Sequence, residues 1–168
     1  MDINKRIIPS RESLKEFVRK FPGEVDVSAV EVQIQLAWAS DGVQKKIFQQ
    51  LTEEYGLSEG RLVVMITLYQ EPEGITPSQL ADRSGVTRAT ISAMVSRMTR
   101  DGLAELKREE HDGRSKKVLL TDAGRAFLEE VLPKHYRRAS SLVSNLTTDE
   151  QEELLRKLAQ LRGEEYAE

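Results

Sequence analysis

The chain has 168 residues, enough for one domain with a substantial apolar core, and its formal net charge is −3. It contains no cysteine, which excludes disulfides, thiolate-bound zinc and thiol-based redox sensing. No apolar run approaches the roughly 18 residues of a membrane span, and the first residues lack the apolar centre of a signal peptide, so we expect a cytoplasmic chain without a membrane partner.

The first 57 residues predict two helical segments. Residues 1–26 form an N-terminal extension with one short helix, which packs across a partner subunit, covers the helices that follow it, or is a loosely held arm. Residues 27–57 predict one long helix, or two helices in line, with a cap at Ser28, a kink near Gly42 and an end at Gly56.

Residues 58–121 predict a lobe made of a central helix, two short helices and a hairpin. The central helix is apolar on most sides, which predicts that it is buried. Thr76 and Pro77 begin the first short helix, which ends at Gly85, and Thr87 caps the second. Two short helices joined by a turn that contains glycine form a helix-turn-helix.

The second short helix has an apolar stripe opposite a small, hydroxylated and cationic face. The stripe has the spacing i, i+3, i+4, i+7 and consists of Ile91, Met94, Val95 and Met98. The opposite face has no carboxylate between Arg88 and Arg100, and its small residues would let the helix enter a DNA major groove. An ordinary solvated surface is the alternative. The residues that we assign to DNA contact here are Thr87, Arg88, Ala89, Thr90, Ser92, Ser96 and Arg97.

A predicted hairpin follows this helix directly, with strands over 103–108 and 116–120 around a polar tip. A hairpin in this position is a wing, and its cations could reach a neighbouring phosphate or minor groove. A surface hairpin with ordinary charges is the alternative. The wing residues that we assign to DNA contact are Arg114, Ser115 and Lys116, those that shape its tip are Asp112 and Gly113, and Ser78 is a further candidate for a backbone contact.

Residues 122–168 predict two further helices. Thr121 caps the first, and Pro133 would bend or interrupt it. The second begins at Thr147 or the residue after it, with a capping box and a stripe of leucines. The small lobe cannot bury this stripe, so we expect residues 27–57 and 122–168 to pack against a second copy of the chain as dimerisation helices.

The charge is distributed unevenly along the chain. Residues 76–117 contain nine lysines and arginines and six acidic residues, so this segment carries +3 and the remainder carries −6. Such asymmetry suits a protein that presents one face to phosphates.

The order of these motifs resembles the multiple antibiotic resistance regulator (MarR) family, over about residues 27–166. Three features carry the resemblance: the segment Leu80–Leu103, the wing motif D-x-R at Asp112 and Arg114, and the motif L-T-x-x-G at Leu120, Thr121 and Gly124. The resemblance implies a winged helix-turn-helix, a homodimer, and repression or activation tuned by small ligands, often aromatic acids. It also implies a ligand pocket between the long helix, the central helix and the lobe, for which Trp38 and Tyr69 are candidates; core aromatics are the alternative.

The sequence contains no motif of an enzyme: it has no P-loop, no dinucleotide-binding glycine pattern, no nucleophile elbow and no zinc-protease helix. We therefore predict no cofactor, no metal site and no catalysis. The predicted fold is mainly α with a small β-hairpin wing (α+β). The predicted function is transcriptional regulation, as a homodimeric repressor of a pseudo-palindromic double-stranded DNA operator. The alternative is a winged-helix scaffold that binds proteins and not DNA.

Overall fold

The computed structural model describes residues 9–21, 25–108 and 116–166. In these ranges the chain forms seven α-helices and one two-stranded antiparallel sheet, which confirms the predicted mainly α fold with a β-hairpin wing. The residues divide into two compact units between Lys46 and Ile47. None of the described helices is long and apolar enough to cross a lipid bilayer.

The first unit contains helix α1 (Arg11–Val18) and the greater part of helix α2 (Val27–Tyr55). Ser10 caps α1, because its side chain accepts the backbone N–H of Ser13 at 3.1 Å. The apolar side of α1 is only partly covered: Leu14 is buried, whereas Phe17 is 58% exposed.

Asp26, and not Ser28 as predicted, is the cap of α2. The Asp26 carboxylate accepts the backbone N–H of Ser28 at 2.8 Å and that of Ala29 at 3.3 Å. It therefore satisfies two amides of the first turn and places negative charge at the positive end of the helix dipole. The Ser28 hydroxyl instead accepts a hydrogen bond from Arg11 at 2.7 Å, and Arg11 also pairs with Glu31 at 3.2 Å, which ties α1 to the start of α2.

Neither Gly42 nor Pro133 ends a helix. Helix α2 continues without a break through Gly42, and helix α6 (Asp122–Ser141) continues through Pro133. Of the two effects predicted for Pro133, a bend or an interruption, the interruption does not occur. Leu128 and Val131, which precede the proline by five and two residues, are fully buried, and their packing offsets the hydrogen bond that a proline cannot donate.

The second unit is built around helix α3 (Glu59–Tyr69), as its apolar sequence predicts. Ser58 caps this helix, and four of its side chains are at most 2% exposed: Leu62, Val64, Met65 and Leu68. These side chains belong to one core with residues of the following helices and of both strands. Burial of an aliphatic side chain of this size contributes about 1.5–3 kcal/mol, so this core fixes the elements around it.

The sheet consists of β1 (Ala104–Arg108) and β2 (Lys116–Leu120), which pair in antiparallel register along five residue pairs. Ile75 precedes the helix-turn-helix and exchanges two backbone hydrogen bonds with Val118 of β2, at 2.8 and 3.2 Å. The base of the hairpin is thereby attached to the helical core.

Helix α7 (Thr148–Arg162) begins with the predicted capping box. The Thr147 hydroxyl accepts the backbone N–H of Glu150 at 3.3 Å, and the Glu150 carboxylate accepts the backbone N–H of Thr147 at 2.8 Å. This second bond holds the pKa of Glu150 below its ordinary value. Three leucines of the helix remain exposed, by 43%, 43% and 63%: Leu154, Leu155 and Leu161.

Candidate nucleic-acid interface

Helices α4 (Pro77–Ser84) and α5 (Arg88–Arg100) form the predicted helix-turn-helix. Thr76 and Gln79 cap α4 reciprocally, with nitrogen–oxygen distances of 3.3 and 3.0 Å. Gly85 ends α4 with a φ of 66°, in the left-handed region that favours glycine. The turn between the two helices is therefore determined by local sequence.

Helix α5 turns one face to the core and the other to solvent. Ile91, Val95 and Met98 are at most 4% exposed. The residues of α5 that face solvent include Arg88, Ala89, Ser92, Ala93, Ser96, Arg97 and Arg100. We call these seven residues the recognition face; it brings together the residues of α5 that we assigned to DNA contact, except Thr90, which is half-buried.

The cap of α5 uses part of the hydrogen-bonding capacity of two predicted contact residues. Thr87 Oγ1 accepts the backbone N–H of Thr90 at 3.2 Å and lies 2.8 Å from the Thr90 hydroxyl. A hydroxyl group has one donor and two acceptor positions. Thr87 and Thr90 therefore have fewer groups left for DNA than Ser92 and Ser96 on the exposed surface.

Arg88 and Arg97 are the prominent charges of the recognition face, since neither forms an ion pair with any described residue. Arg61, by contrast, is bonded to Asp101 at 2.7 Å. An unpaired guanidinium offers five N–H donors in a planar fork, which suits a phosphate or the edge of guanine.

In the described ranges, no three histidine or acidic side chains are arranged to hold a metal ion.

The remaining predicted contacts flank this face. Ser78 is the second residue of α4 and is half-buried, whereas Lys116 begins β2 and is exposed. The strands of the wing are described, but the predicted residues of its tip lie outside the described residues: Asp112, Gly113, Arg114 and Ser115.

A hollow of about 290 Å3 opens between α5 and the wing. It is lined by Pro77, Ser92, Val95, Ser96, Thr99 and Leu106. Sequence reasoning assigned no part to Leu106, which is 45% exposed. Ala104 lies two residues earlier on the same side of the strand and is buried, so alternation alone predicts a buried Leu106.

The two candidates for a ligand pocket belong to different units. Trp38 is a half-buried residue of α2 in the first unit. Tyr69, in the second unit, donates a hydrogen bond from its hydroxyl to Glu129 at 2.8 Å, and the Arg125 guanidinium lies 5.6 Å from its ring centre. The bond to Glu129 raises the pKa of Tyr69 above its ordinary value. A ligand that accepted a hydrogen bond from the Tyr69 hydroxyl would have to replace Glu129, because the hydroxyl has one donor.

Comparison with known proteins agrees with this geometry. A model of the MarR family matches residues 55–115, which include α3, α4, α5 and β1. The chain is 28% identical over 159 residues to the HTH-type transcriptional repressor YetL of Bacillus subtilis (strain 168), and the match covers 92% of each chain. It is 30% identical over 116 residues to the transcriptional repressor MprA of Escherichia coli (strain K12), covering 67% of this chain and 66% of that protein.

Solved structures show the same fold. Sco3205, a MarR family transcriptional regulator from Streptomyces coelicolor in complex with DNA, superposes with a TM-score of 0.73, over 85% of this chain and 90% of that one. Its sequence identity to this chain is 20%, so the likeness concerns the fold alone.

Proposed function

The chain belongs to the MarR family of DNA-binding transcriptional regulators and is not an enzyme, and from this premise we propose that it binds a pseudo-palindromic operator as a homodimer and represses transcription there. The observation that carries the proposal is the recognition face, which is exposed, small and cationic. Repression is the proposed direction because YetL and MprA are both named repressors.

In the proposed complex, α5 enters the major groove. Ala89 lets the helix approach the bases, and Arg88 and Arg97 donate to base edges or phosphates. Ser92 and Ser96 supply hydroxyl groups from the centre of the same face. The residues that flank the recognition face contact the DNA backbone: Ser78, Thr87, Thr90 and Lys116. Arg114 and Ser115 complete the wing contact.

The proposed homodimer rests on apolar surface that the single chain leaves uncovered. Leu154, Leu155 and Leu161 project from α7, and Tyr136 of α6 is 56% exposed. Monomeric proteins seldom leave large contiguous apolar patches exposed, and a second copy of the chain would cover these side chains. Two-fold symmetry then places two copies of α5 about one DNA turn apart, which requires an inverted repeat.

Release by a small aromatic acid is proposed on the resemblance to the family. Tyr69 and Trp38 are the aromatic candidates for such a site. The test is to add benzoic and hydroxybenzoic acids to the preformed complex and to follow its dissociation. A Tyr69→Phe variant keeps the ring and removes the hydroxyl, so a response that persists unchanged would exclude a contact through that hydroxyl.

The decisive experiment is selection of random duplex DNA by the full-length protein at moderate salt, followed by sequencing. We expect enrichment of an inverted repeat with half-sites about one turn apart. A variant with both Arg88→Ala and Arg97→Ala should enrich weakly or not at all. No enrichment by the wild-type protein at any salt concentration would contradict the proposal and favour the alternative, a scaffold that binds proteins.

A further inference from the structure

An ion pair joins the first turn of the central helix α3 to the end of α5. Arg61 donates from Nη2 to the Asp101 carboxylate at 2.7 Å, although the two residues are 40 positions apart. The Arg61 side chain is 20% exposed. Next to it, a Cβ on Gly60 would lie 3.0 Å from Cε of Met94. Helix α3 therefore meets α5 at its middle, through Met94, and at its end, through Asp101.

The termination of α5 does not explain the aspartate. Carbonyl groups of the last turn accept the backbone N–H groups of Gly102 at 3.1 Å and of Leu103 at 2.8 Å. A carboxylate cannot donate to a carbonyl, and its charge is unfavourable at the negative end of the helix dipole. Asp101 therefore carries a local cost, which its bond to Arg61 at 2.7 Å offsets, together with the weaker pair that it forms with Arg100 at 3.9 Å.

Stability alone is also a poor explanation for the pair. Partly buried ion pairs gain little net free energy once desolvation is included, and the Nε of Arg61 is buried without a hydrogen-bond partner in the part of the chain that the structure describes. The ion pair instead restricts the orientation of α5 relative to the core. The apolar contacts of Ile91 and Met98 resist separation of α5 from the core but depend weakly on orientation, whereas a hydrogen-bonded ion pair has a defined geometry.

We propose that Arg61 and Asp101 are positioning residues that set the orientation of α5 for reading base pairs. The inference rests on the proposed function, in which α5 enters the major groove. Hydrogen bonds to base edges require donor–acceptor distances of about 2.7–3.2 Å, whereas flexible cationic side chains tolerate small shifts when they contact phosphates. Loss of the pair therefore weakens binding to the operator and leaves binding to unrelated DNA largely intact.

Two single variants test this because they change the charge of the lobe in opposite directions. Arg61→Gln removes a positive charge and Asp101→Asn removes a negative one. The affinities of the full-length proteins are measured for the selected operator and for a scrambled duplex of equal length, at one salt concentration. We expect each variant to lower the ratio of the two affinities about tenfold, and the double variant to be no worse than either single variant.

Controls separate positioning from charge and from folding. Arg83→Gln breaks another ion pair of the second unit, between Arg83 and Glu71, and should leave the ratio unchanged. Arg61→Lys keeps the charge without the planar fork and should restore part of the ratio. Thermal unfolding of every variant verifies that the protein measured is folded.

The outcomes are distinct. If Arg61→Gln weakens binding to both duplexes equally and Asp101→Asn strengthens it equally, the pair acts only through its charges and the inference is wrong. If the wild type and all variants discriminate the two duplexes to the same degree, the inference also fails while the proposed function stands. A wild type that does not discriminate them contradicts the proposed function itself.

Discussion

Single residues of α5 contribute to DNA binding in two ways, by electrostatic attraction to the phosphates and by recognition of base pairs. Arg88 and Arg97 lie on different edges of the recognition face, at the start of the helix and in its last turn. We expect Arg88→Ala and Arg97→Ala each to weaken operator binding by about 1–3 kcal/mol and to relax the preference at one base pair. The measurement is a titration of the operator and of its single-base variants.

The matched control is Arg156→Ala, which removes the same charge from an exposed position of α7. It should leave both affinity and base preference close to those of the wild type. If Arg88→Ala and Arg97→Ala weaken binding to every sequence equally, these arginines contact phosphates and do not read bases.

His135 gives the stability of the protein a dependence on pH. Its ring centre lies 5.9 Å from that of Phe48 and 5.7 Å from that of Tyr136, and its Nδ1 is buried without a hydrogen-bond partner among the described residues. Burial, and secondly the charge of Arg138, lower the pKa of His135 below the ordinary value of 6.5. The folded protein therefore binds fewer protons than the unfolded chain just below this pH, so acidification favours unfolding.

We expect the free energy of unfolding to fall as the pH is lowered through about 6.5, and to fall less steeply in His135→Gln. Urea denaturation between pH 5 and 8, followed by circular dichroism, measures both profiles. Parallel profiles for the wild type and the variant would show that other groups cause the acid sensitivity.

At the scale of helices and strands, local chemistry was predictable from sequence and distant contacts were not. The caps of α4, α5 and α7 were predictable because a threonine precedes each helix, and its hydroxyl accepts the backbone N–H three residues later. The cap of α2 was assigned wrongly because Asp26 and Ser28 both suit the position, and only the structure shows which one bonds to the amides. Pro133 is a strong helix breaker that buried neighbours override.

In the candidate site, too, local features were predictable from the sequence and distant contacts were not. The recognition face followed from helical periodicity, because each residue advances by about 100°. The bond between Arg61 and Asp101 joins residues 40 positions apart, so no local sequence pattern predicts it. The exposure of Leu106 depends on where the wing leaves the core, which alternation along the strand does not encode.

The cap of α5 permits a direct test of how local sequence supports the recognition face. Thr87→Ala removes the oxygen that accepts the amide of Thr90, and we expect the free energy of unfolding to fall by about 1 kcal/mol. Thr87→Ser keeps the oxygen and should retain most of that stability. Urea denaturation of the three proteins decides the matter. Equal losses in both variants would assign the effect to the lost methyl group and not to the cap.

Gly124 controls how closely α6 approaches the turn before β1. A Cβ at this position would lie 2.0 Å from the carbonyl oxygen of Leu103, so either α6 or the turn must move. We expect Gly124→Ala to lower the free energy of unfolding by about 1–3 kcal/mol or more. Gly42→Ala is the control: the added methyl meets nothing within 4 Å and should stabilise α2 by up to about 1 kcal/mol.

Thermal unfolding compares the two glycine variants with the wild type. A Gly124→Ala protein as stable as the wild type would mean that α6 shifts without cost, and the L-T-x-x-G motif would then need another physical reason.

Across the whole molecule, the cationic segment and the exposed leucines of α7 lie in different parts of the sequence. The segment 76–117 carries +3 and the remainder −6, so the two parts interact with DNA phosphates in opposite senses. The exposed leucines of α7 lie in the acidic remainder. This separation suits a chain that uses one surface for DNA and another for its own copy.

The proposed dimer is tested by placing charge on the apolar surface. We expect a variant with both Leu155→Lys and Leu161→Lys to sediment as a monomer at micromolar concentrations at which the wild type is a dimer, because association would desolvate two ammonium groups per chain. Its operator affinity should fall, since each half-site is then bound alone. Leu106→Lys is the control: it changes a leucine of similar exposure on the wing and should leave the dimer intact. A double variant that remains a dimer would assign the self-association to other surfaces. A wild type that sediments as a monomer would rule out the dimer, and the operator would then no longer need to be an inverted repeat.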